Sequence, residues 1–444
     1  MKKLISIVLA SFLFCETFSG CTTATSLPSG SSSGGSPAAS ATSGQPASSG
    51  NTIKIGVLTD RSSAAAATVK WAEAGAELAQ KEINDAGGIN GKKVELVYRD
   101  TASDSANVAQ KSTELKSEGV IAILGPKSDG EAPAGAQWAE SNKFPMVTPC
   151  TMSTRVTIEN ASHYMFSCGF SAWAIARMNA KAAQKIGAKS AFFIGTDGGA
   201  SGDSRDFFYK DCAKFQPDFK NLGSSQVSSS STEFSNIISS VVNKKPDMLI
   251  GAVAGPNFVS LVNQGNQFGL FKNCDYYGWY TTDTSNTLSL AQSNAYPYGH
   301  VKGVIIWPFW KDDIKGNAEL VKSYMSMRDG IMPSDMGFTW YMGIKAIAEA
   351  AKTITDYSPA NMTTALTKVK FSTIYGTDIG FRDFDHVMTN TYYYVTADKD
   401  PTGKWSVPIG KDIIVYKGAD VLPTKDEMIS YAKEHNYNFT DLSK

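Results

Sequence analysis

The sequence predicts an α/β fold built on parallel sheets, and three observations carry that prediction. Strand-like and helix-like segments alternate along the chain from residue 53 onward. The run Ile53–Leu58 (IKIGVL) reads as a short buried strand. The stretch Ile83–Asp100 (INDAGGINGKKVELVYRD) then joins the end of a helix to a second strand through two glycine turns.

In chain order, the Ala/Glu-rich run Trp71–Glu82 favours a helix, expected over about Val69–Asp85. Gly87 and Gly88 stand where that helix must end, because glycine takes the left-handed C′ conformation without a Cβ penalty. Asn90-Gly91 supplies a second turn, and the alternation in Lys93–Tyr98 suits a strand. Strand, helix and strand make one β-α-β unit. Parallel sheets of this kind bind ligands outside the carboxyl ends of their strands. Further strands are expected at Val120–Leu124, Pro145–Thr148, Ser190–Ile194, Met248–Ala252, Tyr276–Tyr280 and Val301–Ile306. The intervening helices are expected at Ser105–Ser117, Glu131–Ser141, Ala172–Ile186, Asp203–Lys214, Glu233–Asn243 and Asn257–Phe268, with a further strong helix at Trp340–Lys352.

At 444 residues, 42% of them hydrophobic, the chain is long enough for two lobes with separate cores. Its formal net charge of +0 offers no electrostatic footprint for nucleic acid. Lys2 and Lys3 precede an apolar stretch, Leu4–Phe14, which is too short for a comfortable membrane span and reads as a leader over residues 1–20. Phe18-Ser19-Gly20-Cys21 resembles a bacterial lipobox, with Phe18 where leucine is usual, so Cys21 is the expected lipidation site. Residues 21–51 are nearly all Ser, Gly, Ala, Thr and Pro beyond the cysteine. Such a segment buries too little apolar surface to offset its ordering entropy, and a flexible tether is expected. No later segment has 18 or more consecutive apolar residues, so the membrane is expected to be reached through the N-terminal lipid only.

Cys150, Cys168, Cys212 and Cys274 remain after the leader. They contain no CxxC spacing, which speaks against zinc. Buried free thiols and a single disulfide both stay open, with Cys150–Cys168 the best local pair. The four histidines, His163, His300, His386 and His435, form no HExxH motif and no nucleophile elbow. Gly198, Gly199 and Gly202 lack the GxxxxGK[ST] pattern of a phosphate-binding loop, and Asp203, Arg205 and Asp206 read as a solvated helix start. No catalytic residue, metal or cofactor is expected, and the chain does not read as an enzyme.

The order and spacing of several segments resemble the type I periplasmic substrate-binding proteins, specifically the leucine/isoleucine/valine-binding-like family that serves ABC importers. These segments are IKIGVLTD, GAELAQKEINDAGGINGKKVELVYRDTASD, VIAILGPKSDGEA and FPMVTPCTMSTRVT, followed by KPDMLIGAVAGPNFVSLVNQGNQFGL and GFTWYMGIKAIAEA. The resemblance runs from about Ile53 to Lys404. It implies two doubly wound lobes with parallel central sheets, joined by a three-stranded hinge. Residues 52–169 and 303–385 would form lobe 1, and residues 170–302 and 386–444 lobe 2.

The resemblance also implies a site. The family's GPxxS loop falls on Gly125–Gly130, which puts Ser128 in the ligand-contacting position; alternatively Ser128 and Asp129 cap the following helix. The family's second loop falls on Pro149–Thr157, with Thr151 and Met152 standing for an Ala-Thr pair. Thr151 then either offers a hydroxyl to the ligand or stabilises the loop, and Met152 makes the pocket more apolar. In lobe 2 the expected DxxYG tyrosine is missing from Asp197–Gly202, and the ammonium-pairing acid falls near Tyr280, with Asp283 three residues later. Trp279, Tyr280 and Trp307 are either pocket walls or core. For Trp71, helix core packing is expected.

The implied function is an extracytoplasmic, lipid-anchored protein. It captures a hydrophobic amino acid or related carboxylate or amide and hands it to the permease subunits of an ABC transporter. The alternative is a ligand-sensing module that signals through a membrane partner. A lipid and tether do not transmit a signal by themselves, which favours delivery.

Overall fold

In the computed structural model, residues 51–63, 66–149 and 152–444 are described. The leader, Cys21, most of the tether, Cys150 and Thr151 therefore lie outside the described residues. No described helix is long and apolar enough to cross a membrane.

Five strands form the first sheet: β1 (Thr52–Thr59), β2 (Lys93–Asp100), β3 (Ile123–Leu124), β4 (Met146–Thr148) and β5 (Met165–Ser167). They pair in parallel in the order β2-β1-β3-β4-β5. Helices α1 (Ala66–Asp85), α2 (Ser105–Ser117) and α3 (Ala132–Asn142) connect them. Gly87 and Gly88 both have positive φ, and the Gly88 N–H closes on the Ile83 carbonyl at 2.8 Å, so the expected glycine stop is realised.

The chain then passes to a second sheet. Helix α4 (Ala172–Ile186) starts on Ser171, whose hydroxyl accepts from the Ala174 N–H, and stops at left-handed Gly187. Strands β6 (Ser190–Thr196), β7 (Lys220–Val227), β8 (Met248–Ala252), β9 (Tyr276–Trp279) and β10 (Val301–Ile305) run parallel in the order β7-β6-β8-β9-β10. Between them lie α5 (Gly199–Phe215), α6 (Ser235–Lys244), α7 (Gly255–Gln267) and α8 (Thr284–Gln292). Both sheets thus repeat one strand order, with a switch point between β1 and β3 in the first and between β6 and β8 in the second. Doubly wound sheets bind ligands at such points.

After β10 the chain returns to the first sheet. Helices α9 (Asn317–Met325) and α10 (Asp335–Lys352) pack on α1, and α11 (Pro359–Lys368) packs on α10. A hairpin, β11 (Phe371–Thr373) with β12 (Gly376–Ile379), precedes a third passage. Strands β13 (Thr391–Asp398) and β14 (Ile409–Lys417) then add antiparallel to the β10 edge of the second sheet. Strand β10 stays in that sheet through Ile305, past the 302/303 boundary expected from sequence. Helices α12 (Gly418–Val421) and α13 (Lys425–Glu434) close the chain, with α12 against α4 and α13 against the π-helical turn Arg155–Glu159.

The three passages are tied together by hydrogen bonds. The Ser167 N–H donates to the His386 carbonyl, and the Asn390 amide donates to the carbonyls of Cys168 and Gly169, each at 3.1 Å. Asp335 accepts the Ile306 and Trp307 N–H groups on one oxygen. Cys168 is buried, with Sγ 3.4 Å from the Thr339 carbonyl oxygen and 3.6 Å from that of Thr148. Cys212 and Cys274 are buried free thiols.

His386 carries a measurable consequence. Its ring stacks on Phe166 with centroids 4.3 Å apart, and burial drives its pKa down to about 4 although the Met165 carbonyl opposes the shift. An unfolded histidine titrates near 6.5, so between pH ~6.5 and ~4 the unfolded chain takes up a proton that the folded chain refuses. Stability is therefore expected to fall across that window, by roughly 3 kcal/mol from this residue alone. His386→Phe keeps the stacking and removes the titration. Urea midpoints for both proteins at pH 7 and pH 4.5 check this, and equal pH slopes would refute it.

Candidate functional site

The carboxyl ends of β1, β2 and β3 are bound into one polar cluster. Asp60, at the end of β1, is 1% exposed and accepts Lys127 Nζ at 2.8 and 3.1 Å on its two oxygens. Lys127 also donates to Thr68 at 3.1 Å, while Ser63 and Ser103 donate to Asp60. Three loops around the first switch point are thereby held by one buried ion pair.

Ser128 follows in the same loop, half-buried, but its hydroxyl hydrogen is committed to the Glu131 carboxylate at 2.7 Å. Glu131 is 1% exposed and also accepts the Thr101 hydroxyl. Helix α3 has no side-chain cap, so neither Ser128 nor Asp129 plays the capping role. Asp129 instead turns to the neighbouring loop and accepts the N–H groups of Met152 at 2.8 Å and Ser153 at 3.1 Å. Burial raises the Asp129 carboxyl to about 6, against the pull of those two N–H donors, with the nearby Asp203 charge adding to the rise.

From the second sheet, Asp203 on α5 reaches the same turn. One of its oxygens accepts the Thr154 N–H at 2.8 Å and the Ser153 and Thr154 hydroxyls at 3.0 Å each. Asp203 is therefore no solvated helix start: it is buried, and burial raises its pKa. Helix α5 also begins four residues earlier than expected, at Gly199. The glycine at that start permits a close approach. A Cβ on Gly199 would lie 2.7 Å from Ser153 Oγ and 2.9 Å from Arg155 Nε, so a larger residue there would push the turn away. The family's missing tyrosine falls in the segment where this close approach occurs.

The remaining expected residues divide. Met152 is half-buried, and its carbonyl accepts the Ala172 N–H at 3.0 Å, which places it between the turn and α4. Tyr280, at the end of β9, packs edge-on against Phe170 at 4.8 Å and holds φ at +50°. An aromatic residue in that left-handed region is strained, as functional positions often are. Asp283 is drawn elsewhere: it is 2% exposed and accepts from the Ser285 N–H and hydroxyl, the Ser334 hydroxyl and the Asp335 N–H. It caps α8 and anchors the start of α10, so no oxygen is left over for a ligand ammonium. Trp307 is likewise core. It donates to Asn317 at 2.8 Å, stacks on Phe338 and meets Tyr324 edge-on. Trp71 and Trp279 are buried as well. Thr151 lies outside the described residues.

Behind the turn sits a cavity of about 30 Å³, lined by Met152, Ser153, Phe170, Trp173, Arg382 and Met428 among others. That is room for about one or two waters, far below the ~300–1,000 Å³ of pockets that take small molecules. Among the described residues no cluster of His, Cys, Asp and Glu is arranged to hold a metal ion.

Residues 52–403 match the sequence model of the periplasmic binding protein family. Among curated proteins, the Leu/Ile/Val-binding protein homolog 3 of Brucella melitensis is 29% identical over 117 residues, 26% of this chain. That match spans 32% of the relative's length. A solute-binding protein of an ABC transporter from Rhodopseudomonas palustris, solved with 3,4-dihydroxybenzoic acid, superposes with TM-score 0.73 at 19% identity, covering 83% of this chain and 98% of its own. The leucine-, isoleucine-, valine-, threonine- and alanine-binding protein of Brucella ovis, in its closed conformation, gives TM-score 0.73 at 14% identity, covering 84% and 97%.

Proposed function

This chain belongs to the type I periplasmic binding protein family, in its leucine/isoleucine/valine-binding-like branch, and on that premise we propose that it is an extracytoplasmic, lipid-anchored solute-binding protein. It captures a small molecule between two lobes and delivers it to the permease subunits of an ABC importer. The proposed lobes are residues 52–169 with 306–385, and 170–305 with 386–444, the second boundary moved to follow the pairing of β10. Cys21 carries the lipid.

The observation that carries this reading is the meeting of the two switch-point regions at the turn Met152–Thr154, where Asp129 approaches from the first sheet and Asp203 from the second. Hinged binding proteins need such a meeting point. The ligand is a hydrophobic amino acid or a related carboxylate or amide. Ser128, Thr151, Met152 and Tyr280 stay in the proposed site. Asp283 and Trp307 leave it, because both Asp283 oxygens are taken by donors at the starts of α8 and α10 and Trp307 is packed among Asn317, Tyr324 and Phe338. The Ser128 oxygen, by contrast, can still accept. Without Asp283, an α-amino group would need its countercharge from another carboxylate at the junction, and Asp129, which spends one oxygen on the Met152 and Ser153 N–H groups, is the proposed one.

A thermal-shift screen of the purified protein over branched-chain amino acids, aromatic acids, short amides and urea tests the proposal. A ligand bound only by the folded state stabilises by about 2.7 kcal/mol at a hundredfold excess over its Kd. The midpoint should rise for one of these classes. If none moves it, the ligand assignment is wrong.

A further inference from the structure

We propose that Asp203 is a closure latch, a positioning residue that holds the two lobes together at the turn Ser153–Thr154 whether or not a ligand is bound. This rests on the two-lobed binding reading above and adds to it the group that sets the balance between open and closed forms.

The two partners belong to different sheets. Ser153 and Thr154 follow β4, and the turn Arg155–Glu159 packs on α3 of the first sheet. Asp203 lies in α5, which packs on α4, β6 and β8 of the second. A single carboxylate oxygen therefore gathers one N–H and two hydroxyls across the junction, and hydrogen bonds to a charged acceptor are the stronger kind. The approach is prepared from both sides. Gly199 lets α5 sit against Ser153 and Arg155, where a Cβ would not fit. On the first-sheet side, Asp129 accepts the N–H groups of Met152 and Ser153 and so fixes the turn that Asp203 grips. Helix α13, beyond the 52–403 span of the family match, touches the same Arg155–Glu159 turn and extends the grip along it. Opening the lobes at this turn would strip the Asp203 oxygen of its three donors and part the Ala172 N–H from the Met152 carbonyl, whereas the bonds from Asp129 stay on the first-sheet side.

Spin labels at Ala109→Cys on α2 and Lys185→Cys on α4, both exposed, report the distance between the layers in the full chain. Without ligand, the parent protein should show a dominant short-distance population. Asp203→Ala should shift the ratio of short to long distances at least tenfold toward long, and Asp203→Asn, which keeps one acceptor oxygen, should restore part of it. Ser153→Ala, which removes one of the three bonds, should give a smaller shift and serves if Asp203→Ala does not fold. A folded Asp203→Ala protein with the parent distance distribution overturns the latch, as does a parent protein already dominated by long distances. Because the measurement needs no ligand, its failure is separate from a failure of the thermal-shift screen.

Discussion

Lys127→Met should destabilise the folded chain by about 3–5 kcal/mol, the usual cost of leaving a buried charge without its partner. Asp60 is 1% exposed and Lys127 8% exposed, so solvent does little to screen the orphaned carboxylate. Ser63 and Ser103 would still donate to Asp60, which keeps the loss from growing further. Adding Asp60→Asn removes the charge and should recover a substantial part of the stability, because a buried ion pair is expensive to break but cheap to replace whole. Urea unfolding of the two single variants and the double variant measures the coupling. A single-variant loss below about 1 kcal/mol would mean that the pair behaves like a surface bridge and does not organise the switch point.

Gly75→Ala should cost about 3 kcal/mol or more, through a different mechanism. Helix α1 is buried on nearly every side between the first sheet and α10, and its small residues let the two helices approach closely. A Cβ on Gly75 would fall 1.8 Å from the Gly337 carbonyl oxygen, a backbone atom that moves only if the helices part. Gly337 has no slack to give, since its own missing Cβ leaves room for the Tyr324 hydroxyl, which donates to the Trp71 carbonyl at 2.8 Å. Gly202 supplies the opposite sign. It is in α5 with nothing within 4 Å of its absent Cβ, so Gly202→Ala should be neutral or stabilise by up to about 1 kcal/mol. Thermal midpoints for the two variants decide the matter, and equal effects would argue against the helix-contact mechanism.

The contrast between these glycines shows where sequence reading stops. Gly87 and Gly88 are legible as a helix stop because the requirement for positive φ is local. Gly75 is not, because its requirement comes from a helix more than 250 residues away in the chain. The strands divide in the same way. β1, β2, β8 and β10 lie close to their expected places because their apolar runs are buried. β7 (KNLGSSQV) is a polar edge strand and carries no such pattern, while β13 (TYYYVTAD) has clear aromatic and β-branched character yet falls outside the expected set. Its antiparallel pairing with β10 follows only from the third passage between sheets.

For the candidate site the division is sharper. The loops Gly125–Gly130 and Pro149–Thr157 were identifiable from their resemblance to family motifs, and a motif carries residue types in order. It does not carry the partner of each side chain. The same sequence that marks Ser128 as a donor cannot say that Glu131, three residues on, takes its hydrogen. Nor can it say that Asp283 is turned toward Ser334, or that Asp203 leaves solvent for Thr154. The alternating pattern, the glycine turns and the order of the motifs determined the α/β class and the family by themselves, because those signals are local and repeat along the chain. Only the tertiary structure decided which carboxylates face the junction and which anchor helices, since buried polar groups take whichever donors the packed fold brings within about 3 Å.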